Sequence, residues 1–272
     1  MCQPDPNLLR FFILTSVLVF ATGNAMAQGV SVAEAEPGND SPDEVAAEQI
    51  ADRVRRNIAE RINDYRREQG LDALSQDDDL SEVSADFAKY MSRTDRYGHN
   101  ADGNTPAQRA ESAGYDYCVV RENIAYRTNT GEVNVDELTD VLVQGWIDSP
   151  PHKKNIVADY VTETGVGVAT EDGVTYFAVQ MFGRPRSEAF QIQVTNRSDQ
   201  VRRLSVESDG NRDQYEIGPR MRFQMTRCLP TNLKLAESEQ DNRFQVRRSS
   251  EFAITEAGLK PVTKDEKHDS PR

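Results

Sequence analysis

Residues 174–182 constrain the fold more than any other part of the sequence. They follow a Glu-Asp-Gly turn at residues 171–173 and a first β-rich run at residues 164–169. Asp-Gly between two such runs predicts a β-hairpin. The apolar residues of the second run fall on both parities, which predicts a central strand covered on both faces. Because such a sheet needs helices on each side, the sequence predicts an α+β domain, an α-β-α sandwich.

Helical patterns precede this hairpin. Apolar residues every three to four positions, capping residues and glycine stops predict helices over residues 50–70, 79–94, 105–113 and 134–146. Ser149 as N-cap and Pro150 at the first helical position predict one more short helix, with His152 in its first turn. The stretch from Arg96 to Ala125 contains several glycines and reads as loop-rich.

The N-terminal segment has the features of an export signal. Its apolar run, residues 11–21, is shorter than the roughly 20 residues that a membrane-spanning helix needs. An Ala-x-Ala pattern ends at Ala27. Residues 1–27 are therefore predicted to be a signal peptide, and Cys2 precedes the apolar run and cannot serve as a lipoprotein cysteine. We expect a secreted or periplasmic protein without an integral membrane segment after cleavage.

The mature chain divides into four further segments. Residues 28–46 are small, acidic and without apolar periodicity, and are predicted to be a flexible leader. Residues 47–185 hold the layered domain. Residues 186–257 contain short alternating runs separated by turn residues, which predict a small all-β C-terminal appendage. Residues 258–272 are charged and are predicted to be a disordered tail.

Two cysteines remain after cleavage, Cys118 and Cys228. In an oxidising compartment two cysteines of an exported chain are more often paired than free, so we predict a disulfide between them. It would place the C-terminal region beside Glu122. The alternative is two buried free thiols.

The formal net charge of −13 excludes nucleic acid as a partner, because phosphate binding needs a basic face. An acidic surface suits solubility or cation binding.

Only three histidines are present, and His268 falls in the predicted tail. His99 and His152 lie beside glycine or proline, and Glu122 lies between them in the sequence. Their separations match no short metal-ligand spacing, so spacing alone leaves open a shared site or two histidines that hydrogen-bond local backbone.

A set of motifs in a fixed order resembles the bacterial, SCP-like branch of the CAP superfamily, which also holds plant pathogenesis-related proteins of group 1, cysteine-rich secretory proteins and venom allergens. The matching motifs are Gly98-His99, residues 103–109, Gly114-Tyr115, Glu122-Asn123-Ile124-Ala125, Trp146, residues 149–156 and Gly165-Val166-Gly167-Val168.

The resemblance implies an α-β-α sandwich with an open central cleft lined by two histidines and, in many members, two glutamates. By motif, His99 and His152 are the cleft histidines and Glu122 is the first glutamate. The position of the second glutamate is Ser149 here, and the adjacent Asp148 is either a substitute at shorter reach or a surface residue.

Two neutral imidazoles and water suit zinc, with Glu122 as a third ligand or as an acceptor that orients a histidine N–H. Magnesium and calcium prefer oxygen ligands and rank lower.

Three functions follow from this site. The first is a binding module with an unknown ligand in a metal-binding cleft, and with a cell-envelope or protein partner for the C-terminal region. The second is a metal-dependent hydrolase, a peptidase or esterase, in which Glu122 acts as general base. The third, which the resemblance implies for some relatives, is lipid or sterol binding.

Overall fold

The computed structural model describes residues 42–237 and 243–263. The predicted signal peptide, most of the predicted leader and the end of the predicted tail lie outside the described residues. The five helices are α1 (Pro42–Glu68), α2 (Asp78–Thr94), α3 (Pro106–Ser112), α4 (Val135–Asp148) and α5 (Pro150–Ile156). No helix in the described part of the chain is long and apolar enough to cross a membrane.

Twelve strands form three four-stranded sheets within the described residues. In chain order they are β1 (Ser75–Gln76), β2 (Tyr117–Thr128), β3 (Glu163–Ala169), β4 (Thr175–Pro185), β5 (Phe190–Asn196), β6 (Arg202–Ser208), β7 (Asn211–Ile217), β8 (Arg222–Arg227), β9 (Thr231–Leu235), β10 (Phe244–Val246), β11 (Ser250–Thr255) and β12 (Gly258–Pro261). A single 3-10 turn, Arg186–Glu188, joins β4 to β5.

The first sheet is the middle layer of the sandwich, with strand order β1-β3-β4-β2. Helices α1, α4 and α5 pack on one face and α2 and α3 on the other, each over its own apolar core. Strand β4 is buried along most of its length, as its two-sided apolar pattern predicts. The predicted hairpin and the α-β-α architecture are both confirmed.

Glycines in β3 allow α2 to approach the sheet closely. A Cβ added at Gly165 would collide with the backbone at Leu80, and one at Gly167 with the backbone at Ser84. The Ser84 hydroxyl donates to the Gly165 carbonyl at 3.0 Å, which fixes the contact. The Gly-Val-Gly-Val motif therefore allows α2 to pack closely against β3.

The C-terminal appendage contains the other two sheets, in orders β10-β9-β6-β7 and β12-β11-β5-β8. Their inward residues share one apolar core. Several contacts join the appendage to the sandwich, and two of them involve residues far from the connecting turn. A disulfide links Cys118 of β2 to Cys228 just after β8, and Arg247 forms an ion pair of 2.6 Å with Asp159. The predicted disulfide is confirmed, and its alternative of two free thiols is wrong.

Several predicted boundaries need correction. Helix α1 begins at Pro42, inside the segment predicted as flexible leader, because proline is favoured at the first helical position. Helix α2 is capped by Asp77, whose side chain accepts from the Leu80 N–H, rather than starting at Asp79. Residues 258–261 fall in the predicted disordered tail but form β12, which pairs with β11 and buries Leu259.

Candidate functional site

The candidate site lies at the free edge of the sandwich sheet. Strand β2 is the edge strand and pairs only with β4 in the described structure. The loop between α2 and α3 reaches this edge from one layer, and α5 reaches it from the other. Most of the 12-residue strand β2, including Glu122, thus lies in the segment predicted to be loop-rich.

Residues from both layers hydrogen-bond the outward carbonyls of β2. The Ile124 carbonyl accepts from the Tyr97 hydroxyl at 3.1 Å and from Trp146 Nε1 at 3.0 Å. The Glu122 carbonyl accepts from Asn155 Nδ2 at 3.1 Å. These side chains close the sheet edge and fix the two layers relative to each other.

His99 is oriented by Glu122. The distance from His99 Nδ1 to Glu122 Oε1 is 2.8 Å. The other carboxylate oxygen, Oε2, accepts from Arg109 Nη2 at 2.5 Å, so the carboxylate is charged and only accepts hydrogen bonds. Nδ1 of His99 therefore carries the proton, and in neutral His99 the lone pair of Nε2 is available to a ligand.

Arg109 organises the whole loop around His99. Its guanidinium donates to the His99 carbonyl through both Nη atoms at 3.1 Å, and to Asp102 Oδ1 at 2.9 Å. It also lies 3.5 Å above the ring centroid of Phe87. These partners all belong to the protein, so Arg109 serves as a structural hydrogen-bond donor.

His152 is held from the opposite side of the edge. Pro150 opens α5 as predicted, and the Asn123 side chain donates to the His152 carbonyl at 3.2 Å. Asn155 Nδ2 donates to Asn123 Oδ1 at 2.9 Å, and Arg121 donates to Asn155 Oδ1 at 3.2 Å. This network attaches α5 to β2.

The two histidines lie near each other in space. Burial, and after it the charge of His99, lower the pKa of His152 below its ordinary value. An imidazole with a lowered pKa is neutral at pH 7, which is the form that binds metal ions. Glu122 contacts His99 directly, and His152 lies within range of the charge of His99.

Asp148 is not part of this arrangement. It is exposed at the end of α4, and its carboxylate accepts from Gln144 Nε2 at 2.8 Å. Of its two predicted roles, the surface residue is the one observed. Ser149 joins α4 to α5, and its carbonyl accepts from the Lys153 N–H at 2.8 Å.

Sequence reasoning missed four residues of the site: Tyr97, Arg121, Asn123 and Asn155. Asn123 follows Glu122 directly and is fully buried, and a buried amide between two site residues points to a hydrogen-bond network. Such a network depends on contacts far apart in the chain, so no local pattern could have identified it.

Among the described residues, no group of three or more His, Cys, Asp or Glu side chains is arranged to hold a metal ion. This agrees with the geometry of Glu122, because its two oxygens already have partners. The donors that remain are the nitrogens of His99 and His152.

Comparison with known proteins identifies the domain. The family model described as the cysteine-rich secretory protein family, CAP, matches residues 59–182. YkwD, an uncharacterised protein of Bacillus subtilis (strain 168), is 29% identical over 113 residues, which are 41% of this chain and 41% of that protein. The chain thus spans about two fifths of the length of this relative.

Two solved structures are also similar. One is an extracellular protein containing an SCP domain from Bacillus anthracis str. Ames, with 26% identity, a TM-score of 0.43 and coverage of 54% of this chain and 45% of that chain. The other is an outer surface protein from Borrelia burgdorferi, with 23% identity, a TM-score of 0.41 and coverage of 47% of this chain and 90% of that chain. Residues 59–182 of this chain are a CAP domain of the cysteine-rich secretory protein family.

Proposed function

We propose that this CAP-domain protein of the extracellular type is a binding module whose cleft takes a divalent transition metal, with zinc first, on His99 and His152. The observation that carries the proposal is the pairing of His99 Nδ1 with Glu122 Oε1 at 2.8 Å. A histidine whose Nδ1–H is held by a carboxylate is in the tautomer that offers Nε2 to a metal ion.

The donor set fits zinc and fits magnesium or calcium poorly. Two imidazole nitrogens are ligands that zinc accepts, with water or a ligand group in the remaining positions. Magnesium and calcium need several oxygen ligands, and the one carboxylate of the site is already engaged by His99 and Arg109. When bound, the metal would supply a Lewis acid to which a ligand oxygen or nitrogen can attach.

Glu122 belongs outside the coordination sphere in this proposal. It is 5% exposed, and each of its oxygens has a charged or polar partner. Turning an oxygen toward a metal would weaken its hydrogen bond with Arg109 or with His99. Glu122 therefore acts by orienting His99.

The hydrolase alternative gains no support from the same geometry. A general base needs a free oxygen within reach of a substrate water, and both oxygens of Glu122 accept hydrogen bonds from the protein. The lipid alternative needs an apolar groove between helices. A cavity of about 500 Å³ does lie between α1, α2 and the β3–β4 hairpin, but charged residues such as Glu48, Arg55 and Lys89 line it.

A calorimetric zinc titration of the mature protein tests the proposal. We expect one zinc per chain in the wild type and no binding in His99→Ala or His152→Ala. His268→Ala removes the third histidine of the chain and is the matched control, which should bind as the wild type does. Zinc binding that survives both cleft substitutions would overturn the proposal.

A further inference from the structure

Two tyrosine rings lie exposed at the rim of the cleft. Tyr97 is 49% exposed and Tyr126 is 54% exposed. Their ring centroids are 5.0 Å apart and the rings meet edge to face. Rings of this size are usually buried more completely in a fold, so an exposed pair needs an explanation.

Both rings are held in place by the protein. The Tyr97 hydroxyl donates to the Ile124 carbonyl at 3.1 Å. The ring of Tyr126 packs 5.7 Å from Phe177, a buried residue of β4. Rings that are already fixed lose little conformational freedom when a ligand contacts them.

The pair borders the histidine site without belonging to it. Tyr97 lies two residues before His99 in the same loop. Glu122, Ile124 and Tyr126 alternate along β2 and share one face of the strand.

Elsewhere in the protein, cationic side chains lie over aromatic rings. In the described part of the chain these pairs are Arg109 on Phe87 at 3.5 Å, Arg121 on Tyr160 at 5.2 Å and Lys153 on Tyr65 at 5.6 Å. No lysine or arginine of the described residues lies in this way over Tyr97 or Tyr126. The exposed parts of the two rings therefore carry no cation of the described residues and can take one from another molecule.

The charge of the protein favours the same class of ligand. Aromatic faces attract cations through the ring quadrupole. The formal net charge of the whole chain is −13 and attracts basic partners over a distance, although the exposed Arg96 and Arg127 flank the pair in the sequence. Arginine suits such a surface better than lysine, because its guanidinium is planar, stacks on aromatic rings and is weakly hydrated.

We propose that Tyr97 and Tyr126 form a binding subsite for an arginine side chain in a basic segment of a protein partner. This subsite would bind a second class of ligand, beside the metal proposed for the histidines, and it does not depend on a bound metal. It stands even if His99 and His152 hold no zinc.

An NMR titration with capped pentapeptides tests this assignment. The test peptide has a central arginine between alanines. The control peptide has citrulline in its place, which has nearly the same shape and no charge. We expect the arginine peptide to shift the ring signals of Tyr97 and Tyr126, and to bind more tightly than the citrulline peptide by at least threefold. Tyr126→Leu should weaken arginine binding by roughly two- to fivefold, the range for one exposed cation–π contact.

Tyr215→Leu is the matched control, because it removes a tyrosine of the C-terminal sheets that packs against Phe223. It should leave the peptide affinity unchanged. Far-UV circular dichroism of Tyr126→Leu shows that the variant is folded, and its zinc titration shows that the histidine site is separate.

Equal binding of the arginine and citrulline peptides would overturn the proposal, as would the absence of any shift at the two rings. Larger shifts with a tryptophan peptide or with an oligosaccharide would also overturn it, because the subsite would then take neutral rings. None of these outcomes changes the result expected from the zinc titration. Each proposal can therefore be wrong without the other.

Discussion

Arg109 is the residue on which the geometry of the site depends most. It joins the backbone of His99, the carboxylate of Asp102 and the carboxylate of Glu122, and it is almost completely buried. Removing one partner of a buried ion pair leaves the other charge without compensation, which is far more costly than losing an exposed pair.

We therefore expect Arg109→Ala to lower the free energy of unfolding by about 3–5 kcal/mol. Arg186→Ala is the control, because Arg186 pairs with Asp116 at 3.0 Å in an exposed position and should cost less than about 1 kcal/mol. Urea unfolding of the two variants measures the difference. Equal losses would mean that Arg109 does not organise the loop.

His152 gives the metal-free protein a defined pH response. Its pKa is lowered from 6.5 by burial and by His99. The unfolded chain therefore binds a proton at this residue at a higher pH than the folded protein does. Stability contributed by neutral His152 is fully present above pH 6.5 and falls as the pH drops toward the lower, folded-state pKa.

An NMR pH titration of the metal-free protein should give His152 a pKa below 6.5. His99→Ala should raise that value, because the charge of His99 is one cause of the shift. A pKa of His152 at or above 6.5 in the wild type would contradict the burial and proximity described for this residue.

At the scale of elements, the contact between α2 and β3 has no space for a side chain at Gly167. Gly167→Ala should lower the free energy of unfolding by about 3 kcal/mol, at the upper end of the range for overpacked cores. Gly145 in α4 has nothing within 4 Å of an added Cβ. Gly145→Ala should therefore stabilise the protein by about 0.5–1 kcal/mol, because alanine is the better helix former. Chemical denaturation of both variants tests this, and similar effects of the same sign would contradict the close approach.

Elements with a strong local signal could be predicted from the sequence. Helix α4 begins after Asn134, whose side chain accepts from the N–H groups of Asp136 and Glu137, as the capping pattern indicates. Strand β4 is recognisable because both of its faces are apolar.

The elements that sequence reasoning missed are those whose stability comes from distant contacts. Strand β2 carries polar residues such as Arg121, Glu122 and Asn123, which hydrogen-bond side chains from α3 and α5. Strand β7 is mostly exposed and polar, so it shows no alternation. The motifs around His99, Glu122 and His152 identify the site, and only the structure could supply the direction of the Glu122 carboxylate.

At the scale of the whole molecule, the appendage is fastened to the two segments that carry the site. The disulfide holds β2 at Cys118, four residues before Glu122. The ion pair of Arg247 holds Asp159, which follows α5 and His152 in the chain. The appendage is therefore attached to both segments that carry the candidate site.

Cys118→Ser with Cys228→Ser should lower the free energy of unfolding by about 4–5 kcal/mol, the chain-entropy value for a loop on the order of 100 residues. Thermal unfolding of the double variant beside the oxidised wild type measures the loss. An unchanged unfolding temperature would contradict a disulfide in the mature protein.

The orientation of His99 is the central claim, and imidazole ¹⁵N NMR measures it directly. We expect the metal-free protein to show His99 protonated at Nδ1 near neutral pH, and we expect zinc to shift the nitrogen signals of both His99 and His152. Glu122→Gln should weaken zinc binding by about 10–100-fold, as other losses of an orienting partner do. A His99 protonated at Nε2, or nitrogen signals of both histidines that do not respond to zinc, would contradict the account.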